Sequence, residues 1–164
     1  MRPAKTPSDI LSRAKLLKMS GYDFMVGMLE KKIAGPSIAE TMGFTLKTVE
    51  LGKVTFCGAP EFNTTNPMGT VHGGWYGALL DSAMACAVMT KVPQGSFYTT
   101  LEYKVSIVKP VPLNSRVECI GVTDHVGRST GVAHGEIRGV SSDKLYATGT
   151  TTCIIITPDP ALNE

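Results

Sequence analysis

Asn66-Pro67-Met68-Gly69-Thr70-Val71-His72-Gly73-Gly74 runs directly into Trp75-Tyr76-Gly77-Ala78-Leu79-Leu80-Asp81. A polar, glycine-rich turn thus opens an apolar segment that carries one carboxylate about two helical turns in. Glycine lets a backbone come close to a ligand. Amides at a helix start lack internal acceptors and carry the positive end of the helix dipole. The amide of Gly73 or Gly74 is therefore a candidate donor to a developing oxyanion. Asp81 sits among Leu79, Leu80, Ala83 and Met84. A carboxylate buried there needs a hydrogen bond, and burial raises its pKa toward that of a base working near neutrality. Each feature also has a plain reading. Asp81 can cap a helix beginning at Ser82 or face water, the two glycines can form a tight strand-to-helix turn, and Asn66 and His72 can be ordinary turn residues.

Spacing adds a constraint. Gly73 and Asp81 are eight residues apart, ~12 Å along a helix axis, too far to act on one carbonyl from the same helix. If both act, Asp81 must come from a second copy whose helix runs alongside in the opposite sense, so the functional reading predicts a homodimer with two shared sites.

Other chemistries find no support in the residues. His72, His125 and His134 lack metal-ligand spacing, and neither a metal nor a cofactor is expected. No G-x-S-x-G elbow or phosphate-binding loop is present. Sixteen Lys and Arg against fourteen Asp and Glu give a formal charge of +2 with no basic stripe, which argues against nucleic acid as partner. Cys57, Cys86, Cys119 and Cys153 are widely spaced among small or apolar residues and read as reduced thiols. Met1-Arg2-Pro3-Ala4-Lys5 opens no signal-peptide core, and the apolar run 73–89 is short and interrupted by Asp81. The expectation is a cytoplasmic protein without a membrane span.

The elements that must position these groups follow from periodicity. Residues 8–33 predict a helical arm, capped by Ser8, divided at Gly21 and ended by Gly35-Pro36, laid against the domain where it can shape a pocket. Residues 44–50 and 54–57 predict a hairpin turning at Leu51-Gly52-Lys53. A helix over 73–89 follows the glycine motif. Strands over 97–108, 115–124, 129–140 and 145–156, joined by short turns, predict antiparallel meander pairing. The expected class is α+β: about six antiparallel strands packed on one long helix apolar nearly all round. The divisions are a helical extension over 1–41, a domain over 42–157 and a tail over 158–164.

Asn66-x-x-Gly69-Thr70-x-His72-Gly73-Gly74 with Asp81 downstream resembles the hot-dog acyl-CoA thioesterases of the phenylacetate-pathway (PaaI) type. The Thr100-Leu101-Glu102-Tyr103-Lys104-Val105 strand leading to Lys109-Pro110, the Gly127-Arg128-Ser129 turn and the Ala147-Thr148-Gly149 strand extend the likeness from about Phe44 to Ile156. The resemblance implies a sheet wrapped round a central helix, dimers that pair into tetramers, and hydrolysis of acyl-CoA at the dimer interface. It places Asn66, His72 and Gly73 in one subunit and Asp81 and Thr100 in the other. Gly73 would polarise the thioester carbonyl, and Asp81 would activate water or attack directly. Thr100 would orient the water, Asn66 would fix the water or carbonyl, and His72 would support the loop. Gly74, Lys109, Pro110, Val111, Gly127, Arg128 and Ser129 would contact substrate, with Lys109 and Arg128 suited to coenzyme A phosphates. Trp75-Tyr76 departs from the small or aliphatic residues usual there, and the helical arm is longer than a minimal domain needs. Two other readings are an acyl-thioester hydratase or dehydratase and a non-catalytic acyl-CoA binding protein.

Overall fold

Glycines at positions 121, 135 and 149 decide how the layers of this fold meet. In the computed structural model, which describes residues 1–159, Gly121 pairs with Gly135 and Gly135 with Gly149 across three neighbouring strands. The long helix α4 (Gly73–Met89) lies over that row. A Cβ on Gly121 would stand 2.3 Å from the carbonyl carbon and oxygen of Ala83, and one on Gly135 would stand 2.8 Å from the Met84 side chain. Leu79, Leu80, Ala83, Met84, Ala87 and Val88 of α4 are fully buried against the sheet's inner face, where Val117, Cys119, Ile137, Ala147 and Cys153 meet them.

That sheet has six antiparallel strands: β3 (Phe44–Glu50), β4 (Lys53–Gly58), β5 (Phe97–Ile107), β6 (Val117–Val126), β7 (Thr130–Gly139) and β8 (Leu145–Ile156). Their spatial order is β3-β4-β6-β7-β8-β5. The expected hairpin is β3–β4, turning at Gly52, whose φ of +79° needs glycine. The meander expectation requires correction. α4 carries the chain across the sheet, so β5 lands at the far edge beside β8 and β6 returns to pair with β4. β6 also extends to Val126, past the expected end at Asp124.

The N-terminal arm is more broken than its periodicity predicts. Pro7–Asp9 is a single 3-10 turn, and Asp9 accepts the Lys5 and Thr6 amides, so Ser8 caps nothing. Helices α1 (Arg13–Leu16) and α2 (Gly21–Leu29) follow, preceded by Ser12 and Ser20, and only Ser20 makes a side-chain cap. Its hydroxyl accepts the Asp23 amide at 3.1 Å. The division at Gly21 has a packing cause. Its amide donates to the Val92 carbonyl at 2.9 Å, and a Cβ there would meet the Met89 carbonyl oxygen at 1.9 Å. Two short parallel strands, β1 (Arg2–Pro3) and β2 (Ala34–Gly35), and α3 (Ile38–Thr41) complete the arm. The tail expected over 158–164 lies outside the described residues from 160 onward.

Added volume at the glycine row should cost stability in proportion to what it strikes. Gly121→Ala meets backbone and should lose about 1–3 kcal/mol. Gly149→Ala meets the Met84 methyl at 3.2 Å and the Lys104 carbonyl at 3.1 Å and should lose less. Urea unfolding of both variants would check the order.

Candidate functional site

The motif loop is braced by its own side chain. The Asn66 amide oxygen accepts the amides of Met68 at 2.9 Å and Thr70 at 3.2 Å, and its Nδ2 donates to the Thr70 hydroxyl at 2.8 Å. Gly69, at φ +76°, closes the turn. Asn66 is therefore committed to shaping the loop, with one Nδ2 hydrogen left over. His72 is the N-cap of α4, and its Nδ1 accepts the Gly74 amide at 2.8 Å. That bond places the ring proton on Nε2. Of the two glycine amides considered from sequence, Gly74's is thus occupied, whereas Gly73's has no acceptor among the described residues.

The Gly73 end of the helix opens on a cavity of about 330 Å³ lined by Asn66, Gly73, Tyr76, Ile107, Lys109 and Pro110, among others. Lys109 is exposed and forms no ion pair among the described residues. Val111 does not line this cavity. It is buried, and its amide donates to the Tyr76 hydroxyl at 2.9 Å, fixing the wall from behind. Trp75 and Tyr76 pack in the core edge to face, with centroids 5.5 Å apart, and the Trp75 indole donates to the Met42 carbonyl at 2.9 Å. Both bulky residues thus join the helix start to the structure around it.

Asp81 lies farther along α4, on the stripe the sheet leaves partly open together with Ala78, Ser82 and Cys86. The Thr100 hydroxyl donates to its carboxylate at 2.9 Å. Thr100 faces inward because its register partner on β8 is the buried Cys153. Burial raises the pKa of Asp81, and the Thr100 bond pulls partly the other way. No cation pairs with it among the described residues. Asp81 does not cap a helix at Ser82, since α4 runs unbroken from Gly73.

Within one chain the predicted residues therefore fall into separate groups. Asn66, Gly73, Lys109 and Pro110 meet at the helix start, with His72 and Gly74 beside them. Asp81 and Thr100 meet mid-helix. The Gly127-Arg128-Ser129 turn lies toward the other end, since the neighbouring Gly131 packs on Val88. Tyr98 and Cys86 were not singled out as functional from sequence, yet they line a cavity, whereas Tyr76, already notable in the sequence for its bulk, lines the cavity at the helix start. Tyr98 was legible in principle, two residues before Thr100 and hence on the same strand face. Cys86 and Tyr98 are hydrogen-bonded to each other, and burial pushes the thiol up to about 12 and the phenol upward as well. Among the described residues no helix is long and apolar enough to cross a membrane.

The thioesterase superfamily model matches residues 68–145. No curated protein matches the chain by sequence. Among solved structures, a thioesterase family protein from Silicibacter pomeroyi is 22% identical at a TM-score of 0.73, covering 82% of this chain and 99% of that one. A mutant of the phenylacetic acid degradation protein PaaI from Thermus thermophilus is 27% identical at 0.65, covering 71% and 96%. The protein smu.793 from Streptococcus mutans, solved bound to acetyl CoA, is 22% identical at 0.63, covering 70% and 90%. The six-stranded antiparallel sheet wrapped on a central helix is the fold these thioesterase structures share, and the stretch from Met68 to Leu145 matches the thioesterase superfamily.

Proposed function

We propose that the protein hydrolyses acyl-CoA thioesters to free acid and coenzyme A at two sites, each shared between the subunits of a homodimer. One observation carries this reading. An unpaired helix-start amide and a desolvated, threonine-held carboxylate occupy the same helix ~12 Å apart. A two-fold axis that lays two copies of α4 antiparallel brings each Gly73 to Asp81 of the partner subunit. The edge strand β5 supports such pairing. Among the described residues its outer edge has no strand beside it, and it exposes Leu101, Tyr103 and Ile107. The acetyl CoA bound by smu.793 supports the substrate class. Lys109 and Arg128 supply cations for its phosphates, and dimers pair further into tetramers, as the family resemblance implies.

In this mechanism Gly73 donates to the thioester oxygen while Asp81 of the partner subunit takes a proton from water. The water oxygen attacks the carbonyl carbon, the oxyanion is held by the Gly73 amide, and the carbon–sulfur bond breaks. The proton on Asp81 then passes to the departing thiolate. Thr100 keeps the carboxylate oriented, while His72 and Asn66 hold the loop that presents Gly73. A hydratase would need a histidine and an acid acting together. Here the Nδ1 of His72 is engaged by the Gly74 amide, which commits the ring to capping the helix rather than to moving protons.

Asp81→Asn should lower kcat about 10²–10⁴-fold, read as thiol release from an acyl-CoA panel, and retained turnover would refute the role. The raised pKa also bears on stability. The folded chain holds the Asp81 proton more tightly than the unfolded chain, so stability falls as pH rises from the ordinary carboxylate pKa through the raised one. Asp81→Asn should therefore melt no lower than wild type at neutral pH.

The pH profile gives an independent check. Activity needs ionised Asp81, so kcat/KM should rise with pH along a limb placed above the usual aspartate range. Thr100→Val removes the bond that holds the pKa down and should move that limb to higher pH.

Sharing across the interface is testable by mixing. Gly73 is the first residue of α4, His72 before it is extended (φ −65°, ψ 139°), and a Cβ at Gly73 meets only the Ile107 side chain at 3.8 Å. Gly73→Pro therefore deletes one amide at a position where proline fits. It should lower kcat about 10²–10³-fold. Refolding equal amounts of Gly73→Pro and Asp81→Asn together should restore about a quarter of wild-type activity, because half the dimers regain one intact site. No recovery would place both groups in one subunit.

A further inference from the structure

Beyond the helix start, a second cavity of about 310 Å³ lies between the N-terminal arm and the domain. Leu11, Leu16, Phe24 and Met28 form much of its arm wall, and Cys86 and Tyr98 are its domain wall. None of its lining residues is charged. Its two domain-side polar groups, the Cys86 thiol and the Tyr98 hydroxyl, satisfy each other. Interiors are normally filled to crystal-like density, so an apolar space of this size at a layer junction invites an occupant.

The cavity adjoins Asp81 from two directions. Cys86 follows Asp81 on α4 by five residues, ~7.5 Å along the axis. Tyr98 precedes Thr100 by two residues on β5, so both side chains face inward, ~7 Å apart along the strand. The arm is also well seated as a wall. The Gly21 amide donates to the Val92 carbonyl, the Gly95 amide donates to the Leu17 carbonyl at 3.0 Å, and the Arg13 guanidinium lies 5.1 Å from the Phe97 ring centre.

We infer that this cavity, walled on one side by the N-terminal arm, receives the hydrocarbon tail of the acyl group whose thioester is cleaved at Asp81, and selects uncharged acyl groups longer than acetyl. The inference rests on the thioesterase reading above. An acetyl group ends one carbon beyond the carbonyl and cannot span the distance from Asp81 to Cys86, whereas a medium-length chain can. Methionine and cysteine in the lining adapt to chains of different length. A carboxylated tail would find no cation there. Each methylene the cavity takes from water should raise kcat/KM about fourfold until the space is full.

The test compares octanoyl-CoA with acetyl-CoA. Leu16→Trp fills the cavity, and Leu11→Asp puts a charge on its partly exposed rim. The two sites tolerate change differently, so a folding failure in one leaves the other. In either folded variant the octanoyl-to-acetyl ratio of kcat/KM should fall roughly tenfold or more. If wild type hydrolyses octanoyl-CoA and both folded variants keep its ratio within about twofold, the tail lies elsewhere and the inference fails. If wild type hydrolyses neither thioester, the thioesterase reading fails. Calorimetric binding of octanoyl-CoA and acetyl-CoA to wild type and Leu16→Trp then still decides the cavity. Loss of the octanoyl preference in the variant supports it, and equal binding of both thioesters by wild type overturns it.

Discussion

The close seat of α4 on the sheet is the constraint from which the rest of the structure follows. Three glycines in register across β6, β7 and β8 remove the side chains that would hold the helix away. The Ala83 backbone can then approach the strand at Gly121, and Leu80 and Met84 fill the space over Gly135 and Gly149. A helix held this closely buries most of its circumference, which is why its sequence is apolar on nearly every side. The stripe that the sheet leaves partly open is narrow, and Asp81 is on it.

That placement sets the character of the carboxylate. It is desolvated enough for its pKa to rise, yet it accepts a hydrogen bond from Thr100 and has no cation beside it among the described residues. Such a group costs folding energy when ionised. The helix start shows the complementary economy. His72 occupies the Gly74 amide, Asn66 holds the loop, and the Gly73 amide is left facing a cavity. A hydrogen-bond donor and a carboxylate thus stand at two points of one rigid element that cannot approach each other. The proposed dimer follows from that rigidity.

The arm belongs to the same logic. Gly21 lets its second helix press against the carbonyl of Met89 at the end of α4, so one central helix organises both the sheet and the extension. The space left between arm and domain is lined by flexible apolar side chains on one side and a mutually satisfied thiol–phenol pair on the other.

Local patterns made much of this legible. The helix over Gly73–Met89, the β3–β4 hairpin and the spans of the later strands were readable from alternation, β-branched residues and turn chemistry, because those signals depend only on near neighbours in the chain. The odd carboxylate in an apolar helix and the glycines before it were equally visible. Strand order was not, because nothing local records that α4 carries β5 past β8. The division of the arm at Gly21 was legible, but apolar spacing wrongly carried helix back to Ser8, since Asp9 turns back onto Lys5 and Thr6 and the first helix spans only Arg13–Leu16. By itself the sequence determined which groups were available for chemistry and that Gly73 and Asp81 of one helix stand too far apart to share a carbonyl, since rise per residue is a property of the backbone. Only the tertiary structure decided which glycine amide is free, that Thr100 holds Asp81, that Val111 serves Tyr76 and that the arm walls a cavity, since these depend on contacts between segments distant in the chain or on side-chain geometry that spacing does not encode.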